Sequence, residues 1–328
     1  MSMGVVGLSR NAQAMAPRST VVDYLGNRTM SDTSESLSKA YLGLRITDPA
    51  EVPDEPHPNL LYRHRSHLVP SLQALWARRE IIVSLAERDL RAHYKDATLG
   101  FAWALLTPVA TLMVMLLIFS RVKGFHIPAV PYALYAYMGI LPWQFFASSF
   151  NMGANSLLSN KALLAKVHFP RECFPLAQMV EAAVNTLLAT TVGVLLFAIN
   201  GFAPHVETVW IPLFIAIELL FVTGVVLAAS ALLVHVRDLV QVVPVIVQLG
   251  MFATPVIWPF SKIPATYRPL YSFFNPIGPV IDNFRRTVLV GQSPSWGLLG
   301  IAAVGAAFCL ALGYFIFKRL EGELADIA

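Results

Sequence analysis

The sequence predicts an all-α, polytopic integral membrane protein. It should have six transmembrane helices, an N-terminal amphipathic interface helix and short external re-entrant or gate helices. Three observations lead there. The 328 residues are 56% hydrophobic and only 13% charged, with mean hydropathy +0.59; a soluble domain is about 25% charged. The charge is also segregated: residues 1–96 hold 12 of the 24 Lys+Arg and 11 of the 20 Asp+Glu, and none of residues 97–171 is acidic. Finally, one border is abrupt. Seven of the ten residues from Glu87 to Asp96 are charged or His, whereas residues 97–120 carry no charge. Those uncharged residues make roughly 36 Å of helix, enough to cross a bilayer.

Along the chain, residues 1–70 are rich in Ser, Pro and charge without sustained periodicity. They are expected to form a mostly disordered cytosolic tail. Residues 71–328 form the membrane domain. Its first element is a helix over 71–95, where Leu72, Leu75, Trp76, Ile82 and Leu85 recur at helical spacing among Arg78, Arg79, Glu80, Glu87 and Arg88. Two readings fit: an amphipathic helix lying in the membrane interface with Trp76 as anchor, or a soluble helix packed on a partner. The span that follows directly favours the first.

Hydropathy places the six spans at about 98–120, 132–152, 176–199, 209–234, 239–258 and 296–317. Alternate loops carry eleven Lys+Arg on one side and six on the other. The rule that positive loops stay inside puts both termini in the cytosol. No cleaved signal peptide is expected at the N-terminus. Cys173 and Cys309 read as two inert thiols with no disulfide between them.

Two connecting segments are patterned. In 153–174, Leu157, Leu158, Ala162, Leu163 and Val167 give a short helix with an apolar face, capped by Asn155 or Ser156 and stopped by Pro170. It reads either as a docking surface for another protein or as a helix tucked under the bundle. From Thr254 to Gly291, six prolines cut an apolar stretch into pieces too short to cross. Irregular backbone at membrane depth survives only when buried in protein or lining a wet cavity. Short external helices are therefore expected, with Arg285 and Arg286 at a protein surface or pore mouth.

Glu181 and Glu218 fall inside spans three and four. Each reads either as a buried, hydrogen-bonded carboxyl or as a functional group, such as a proton relay. The aromatics Phe101, Trp103, Trp143, Phe145 and Phe146 read as interfacial belt residues or as stacking surfaces for sugar rings. The chain has no Gly-x-x-x-x-Gly-Lys-[Ser/Thr] loop and no His-Glu-x-x-His. It is thus not expected to hydrolyse ATP itself or to hold a metal. The basic residues form no stripe suited to nucleic acid.

Several short pieces, taken in order, carry a resemblance. They are Arg88-Asp89-Leu90 with Tyr94-Lys95, Leu99-Gly100, Trp103 and Pro108; Phe169-Pro170-Arg171-Glu172; Arg237-Asp238-Leu239; Thr254-Pro255-Val256, Asn275-Pro276 and Arg285; and Phe317-Lys318-Arg319-Leu320-Glu321 with Ala325-Asp326-Ile327. Over about 75–328 the chain resembles the permease subunit of type-2 ABC exporters of lipid-linked polysaccharides, the group of Wzm-like O-antigen, teichoic acid, capsule and galactan permeases. The long N-terminal tail departs from that pattern.

The resemblance implies a multi-pass protein of the bacterial inner (plasma) membrane that pairs with a second copy of itself. It would work with two copies of an ATP-binding cassette subunit, which would bind ATP and Mg in its place. Residues 155–169 would form the coupling helix that meets the ATPase, with Leu157, Leu158, Asn160, Leu163, Leu164, Val167 and Phe169, followed by Arg171 and Glu172. Arg88, Arg91, Tyr94 and Lys95 would form the entrance for a lipid head group, by bidentate bonds to pyrophosphate, or would only anchor the chain to anionic membrane lipid. Phe101, Trp103, Trp143, Phe145 and Phe146 would line the channel. Trp258, Tyr267, Asn275 and Arg285 would form the external gate. The expected cargo is a lipid-linked polysaccharide. The alternatives are export of a drug or lipid on the same fold, a polyprenyl-phosphate membrane enzyme, and a proton-coupled carrier.

Overall fold

The computed structural model describes residues 78–95, 102–119, 130–164, 170–203 and 205–321. The expected tail, Trp76 and the start of the interface helix, Leu99-Gly100, Phe101, Val167, Phe169 and Ala325-Asp326-Ile327 lie outside them. The described residues are helical, without strands. The helices are α1 (Arg79–Lys95), α2 (Ala102–Phe119), α3 (Tyr132–Ser159), α4 (Lys161–Leu164), α5 (Cys173–Ile199), α6 (Ile211–His235), α7 (Leu239–Ala253), α8 (Arg268–Phe274), α9 (Ile277–Val288) and α10 (Trp296–Glu321).

Three helical stretches are long and apolar enough to cross a membrane: α5, α6 with the 3-10 turn before it (Val206–His235), and α10. Ala102–Ile118 and α7 are shorter apolar helices. Helix α3 is long but carries Tyr, Asn and Ser along its length, and it is the central element. Leu134, Ala136, Tyr137, Ala154 and Leu157 are all but inaccessible, and α5, α6, α7, α9 and α2 pack around it. Several of these polar side chains close hydrogen bonds inside the protein, while the buried Tyr132 and Ser149 hydroxyls have no partner among the described residues. The Tyr137 hydroxyl donates to the Ala189 carbonyl on α5 at 2.6 Å.

Helix α6 pairs most extensively with α10. The pairing depends on glycine: a Cβ on Gly313 would fall inside van der Waals contact of the Gly224 carbonyl, and a Cβ on Gly224 would meet the Cys309 backbone. With no hydrophobic drive between helices in lipid, such small residues let backbones approach and gain dispersion contacts.

Two element limits differ from the hydropathy reading. Helix α3 does not stop at 152 but continues to Ser159. The Asn151, Asn155 and Ser159 side chains donate back to carbonyls four residues earlier. They support the helix instead of capping a new one, and Asn160 becomes the C-cap. In the described part of the expected helix over 155–169, residues 155–164, the chain forms the last turn of α3 followed by the short α4. Helix α7 stops at Ala253 rather than 258. Thr254, pushed to φ −92° and ψ 143° ahead of Pro255, leaves the helical region.

Candidate functional site

At one end of the bundle, the polar face of α1 is stitched to its neighbours. Leu85 and Ala86 bury against Leu157 of α3, Cys173, Phe174 and Ala177 of α5, Leu227 and Ala231 of α6, and Phe317 of α10. That anchoring holds the next turns of α1 against α5. Gln178 donates to Asp89 at 2.6 Å, and the Tyr94 hydroxyl donates to Asn185 at 2.7 Å. Burial, and then the nearby Glu181 carboxylate, push the Tyr94 phenol above its ordinary value. Glu181 is itself 1% exposed, with His93 Nδ1 3.6 Å from its Oε1.

Arg88 was expected to face a lipid head group. Its Nε donates to Asp89 at 2.7 Å and its Nη2 donates to Asn160 Oδ1 at 2.9 Å. It therefore links α1 to the turn between α3 and α4. Arg91 pairs with Glu87 one turn back on the exposed face of α1, and Lys95 is exposed beyond it.

The predicted coupling residues are divided. Leu157 is fully buried, while Leu158, Leu163 and Leu164 are half-buried, the last two packed against the same cluster. Arg171 and Glu172 fasten the start of α5 to the end of α10. Arg171 Nη1 donates to the Glu321 carbonyl at 2.9 Å, and Glu172 pairs with Lys318, which also reaches Glu321 Oε2 at 2.7 Å. Glu172 is 2% exposed. Its partner lies 146 positions later, which no local pattern reveals.

At the opposite end, the proline-cut segment folds back into the protein. Trp258 Nε1 donates to the Phe252 carbonyl, the Tyr271 hydroxyl to the Ala253 carbonyl, and Asn275 to both Thr254 and Tyr271. Asn283 accepts from the Ser295 backbone at the start of α10. Arg285 does not sit on the surface of the chain but is 3% exposed. Its guanidinium donates to the carbonyls of Tyr135, Pro255 and Val256 and to the Tyr135 hydroxyl, and lies 3.8 Å over the Tyr135 ring. The chain break after α7 frees the Pro255 and Val256 carbonyls from helical bonding, and a buried fork of donors satisfies them. Gly139 leaves room for this: a Cβ there would collide with the guanidinium. Of the other predicted gate residues, Tyr267 is exposed, while Trp258 and Asn275 are half-buried.

The aromatics separate likewise. Trp103 on α2 is 52% exposed, whereas Trp143, Phe145 and Phe146 are buried. Phe146 stacks on Phe150 and Phe221, and Trp143 tilts against Phe146 at 5.1 Å. Phe145 instead lines a cavity of about 550 Å³ between α3, α5 and α6, together with Glu218. Glu218 is 4% exposed, and its Oε1 has no hydrogen-bond partner among the described residues. Cys173 and Cys309 are both free, and no group of three or more His, Cys, Asp or Glu among the described residues is placed to hold a metal.

Comparison with known proteins places this architecture. A family model described as ABC-2 type transporter matches residues 80–289, from the second residue of α1 to the residue after α9. Over 261 residues the chain is 29% identical to the O-antigen export system permease protein RfbA of Myxococcus xanthus, covering 79% of this chain and 99% of that protein. The RfbA of Klebsiella pneumoniae is 27% identical over 249 residues, covering 76% and 95%. The polysialic acid transport protein KpsM of Escherichia coli is 23% identical over 247 residues, covering 73% and 93%. With apolar helices of membrane-crossing length and a family match that takes in every element from α1 to α9, the chain is a membrane protein of the ABC-2 type transporter family.

Proposed function

We propose that this chain is the membrane-spanning subunit of an ATP-driven exporter, moving a lipid-linked polysaccharide from the cytosolic to the external side of a bacterial plasma membrane. The observation that supports this best is the extent of the match to the RfbA proteins, 99% of the Myxococcus protein's length. That match leaves no room for a different domain in the shared region. In this reading α2, α3, α5, α6, α7 and α10 are the six spans, and both termini are cytosolic. Two copies pair, and two ATP-binding subunits, carrying ATP and Mg, dock beneath them.

The end of the bundle that holds α1 and α4 then faces the cytosol. Half-buried Leu158, Leu163 and Leu164 belong to the docking segment, with Arg171 and Glu172 bracing it from α5. Arg91, Tyr94 and Lys95 lie beside the entrance for the lipid head group, and Arg88 sets the position of that helix. Trp103, exposed on α2, faces the path of the glycan, with Trp143, Phe145 and Phe146 forming the wall behind it. Trp258, Tyr267, Asn275 and Arg285 belong to the external gate.

The test is co-purification followed by complementation. The full chain, expressed with an ATP-binding cassette subunit from its own genome, is expected to hold that subunit in mild detergent. It is also expected to restore surface polysaccharide to a strain lacking its own permease. Failure to retain an ATP-binding subunit overturns the reading. Retention with export of a drug or free lipid, but no polysaccharide, overturns the cargo assignment alone.

A further inference from the structure

The cavity shared by α3, α5 and α6 has only Phe145 in common with the residues assigned above. At about 550 Å³ it falls within the ~300–1,000 Å³ of small-molecule sites. Its walls are Leu141 and Phe145 of α3, Ala183 and Val194 of α5 and Ile215 of α6, and Phe284 and Val288 of α9 close one end. Leu187, Val194, Ile215 and Leu219, which also line it, are exposed on the flank of the bundle. The mouth therefore opens onto the surface that meets hydrocarbon.

The polar groups of the lining are few. Thr186 and Thr190 donate their hydroxyl protons to carbonyls of their own helix, both at 2.9 Å. Glu218 Oε1 is the buried lining atom left without a partner among the described residues. It lies eight residues after Trp210, about 12 Å along the helix at 1.5 Å per residue. Trp210 meets Trp296 edge to face at 4.8 Å, and tryptophan is enriched at the membrane–water interface. Glu218 is thus below head-group level.

A water molecule is a poor occupant, because it needs two to four polar partners and the Glu218 carboxyl is the one polar side chain of the lining not bonded to its own helix. A plain acyl chain fills the walls but leaves that carboxyl bare. The carbonyl oxygen of a neutral carboxyl, like either oxygen of a carboxylate, accepts a hydrogen bond, so a ligand that carries a donor matches it.

We propose that this cavity binds a single-chain amphiphile from the bilayer, its chain along the α3, α5 and α6 walls and its hydroxyl or ammonium donating to the Glu218 carboxyl group. Neither the shape of the cavity nor the unsatisfied oxygen depends on the export reading.

The test uses the full chain in lipid nanodiscs and three photoreactive probes with a terminal diazirine: hexadecanol, hexadecylamine and hexadecyl methyl ether. Adducts are mapped by peptide mass spectrometry. The alcohol and amine are expected to label peptides within 183–197 and 211–219 about fivefold more than the ether, which lacks a donor. Glu218→Leu removes that preference, Glu218→Gln keeps it for the alcohol, and Ala183→Phe lowers labelling by all three. Equal labelling of the wild-type protein by alcohol and ether overturns the proposal, as does absence of adducts on these peptides. Both of those comparisons need no variant to fold.

Discussion

Arg88 on α1 donates to Asn160 at the end of α3 across 72 positions of sequence, with 2.9 Å between Nη2 and Oδ1. The residue that the sequence marks as a candidate for head-group recognition is thereby also the fastener between α1 and the turn that ends α3. The bond is partly exposed, so its contribution to stability is modest, about 0.5–1.5 kcal/mol.

Arg88→Ala is therefore expected to lower the melting temperature only slightly while weakening the link between ATP hydrolysis and export. Asn160→Leu should reproduce the defect, and the double variant should be no worse than either single one. Export per ATP hydrolysed, measured in reconstituted vesicles for all four proteins, checks this. Additive losses would mean that Arg88 acts on cargo or membrane independently of Asn160.

The Arg285 cage gives a graded series. Tyr135→Phe removes one hydrogen bond and should cost about 1 kcal/mol. Arg285→Met strands the non-helical Pro255 and Val256 carbonyls at once, at about 1–3 kcal/mol each. The expected order of folded yield by size-exclusion chromatography is wild type, then Tyr135→Phe, then Arg285→Lys, with Arg285→Met poorest. An Arg285→Met protein as stable as wild type would contradict the cage.

Glu172 and Lys318 form a buried pair, with side chains 2% and 13% exposed. Lys318→Met leaves the carboxylate without its main partner, and removing one member of such a pair costs about 3–5 kcal/mol. The double change Glu172→Leu with Lys318→Met should recover most of that loss. Thermal unfolding in detergent reads both, and the wild-type pair should be little affected by added salt.

Glycine substitutions separate contact from propensity. Gly313→Val drives a side chain into the α6 backbone and should abolish the folded form. Gly297→Ala and Gly300→Ala, in the same helix, meet nothing within 4 Å and should be neutral or stabilising by up to about 1 kcal/mol. Unfolding midpoints of the three variants test this directly.

The long apolar helices were legible in the sequence because uncharged runs of membrane length permit little else: the expected span 176–199 became α5, and 296–317 became the body of α10. The end of α3 was not. Asn155 and Ser156 read as caps from their residue type, yet a side-chain amide bonds equally well to the carbonyl four residues back. The end of α7 was visible as Pro255, but hydropathy averaged over a window passes across it. Arg285 illustrates a harder limit. Two arginines in an external segment read as surface charge, and only the fold shows that Tyr135, 150 residues away, turns one of them inward. Glu218 was visible as a carboxylate inside a span; the cavity beside it is made by three helices and has no local signature.

Helix α3 carries an arginine tie near each of its ends: Arg285 at Tyr135 and Arg88 at Asn160. Those positions are 25 residues apart, about 38 Å along the helix. A rod pinned close to both tips cannot slip at one without loading the other. If α3 tilts as a stiff body about its middle, the two pins swing in opposite directions, as the arms of a seesaw do. The same helix that supplies the largest share of the core therefore links the two ends of the bundle.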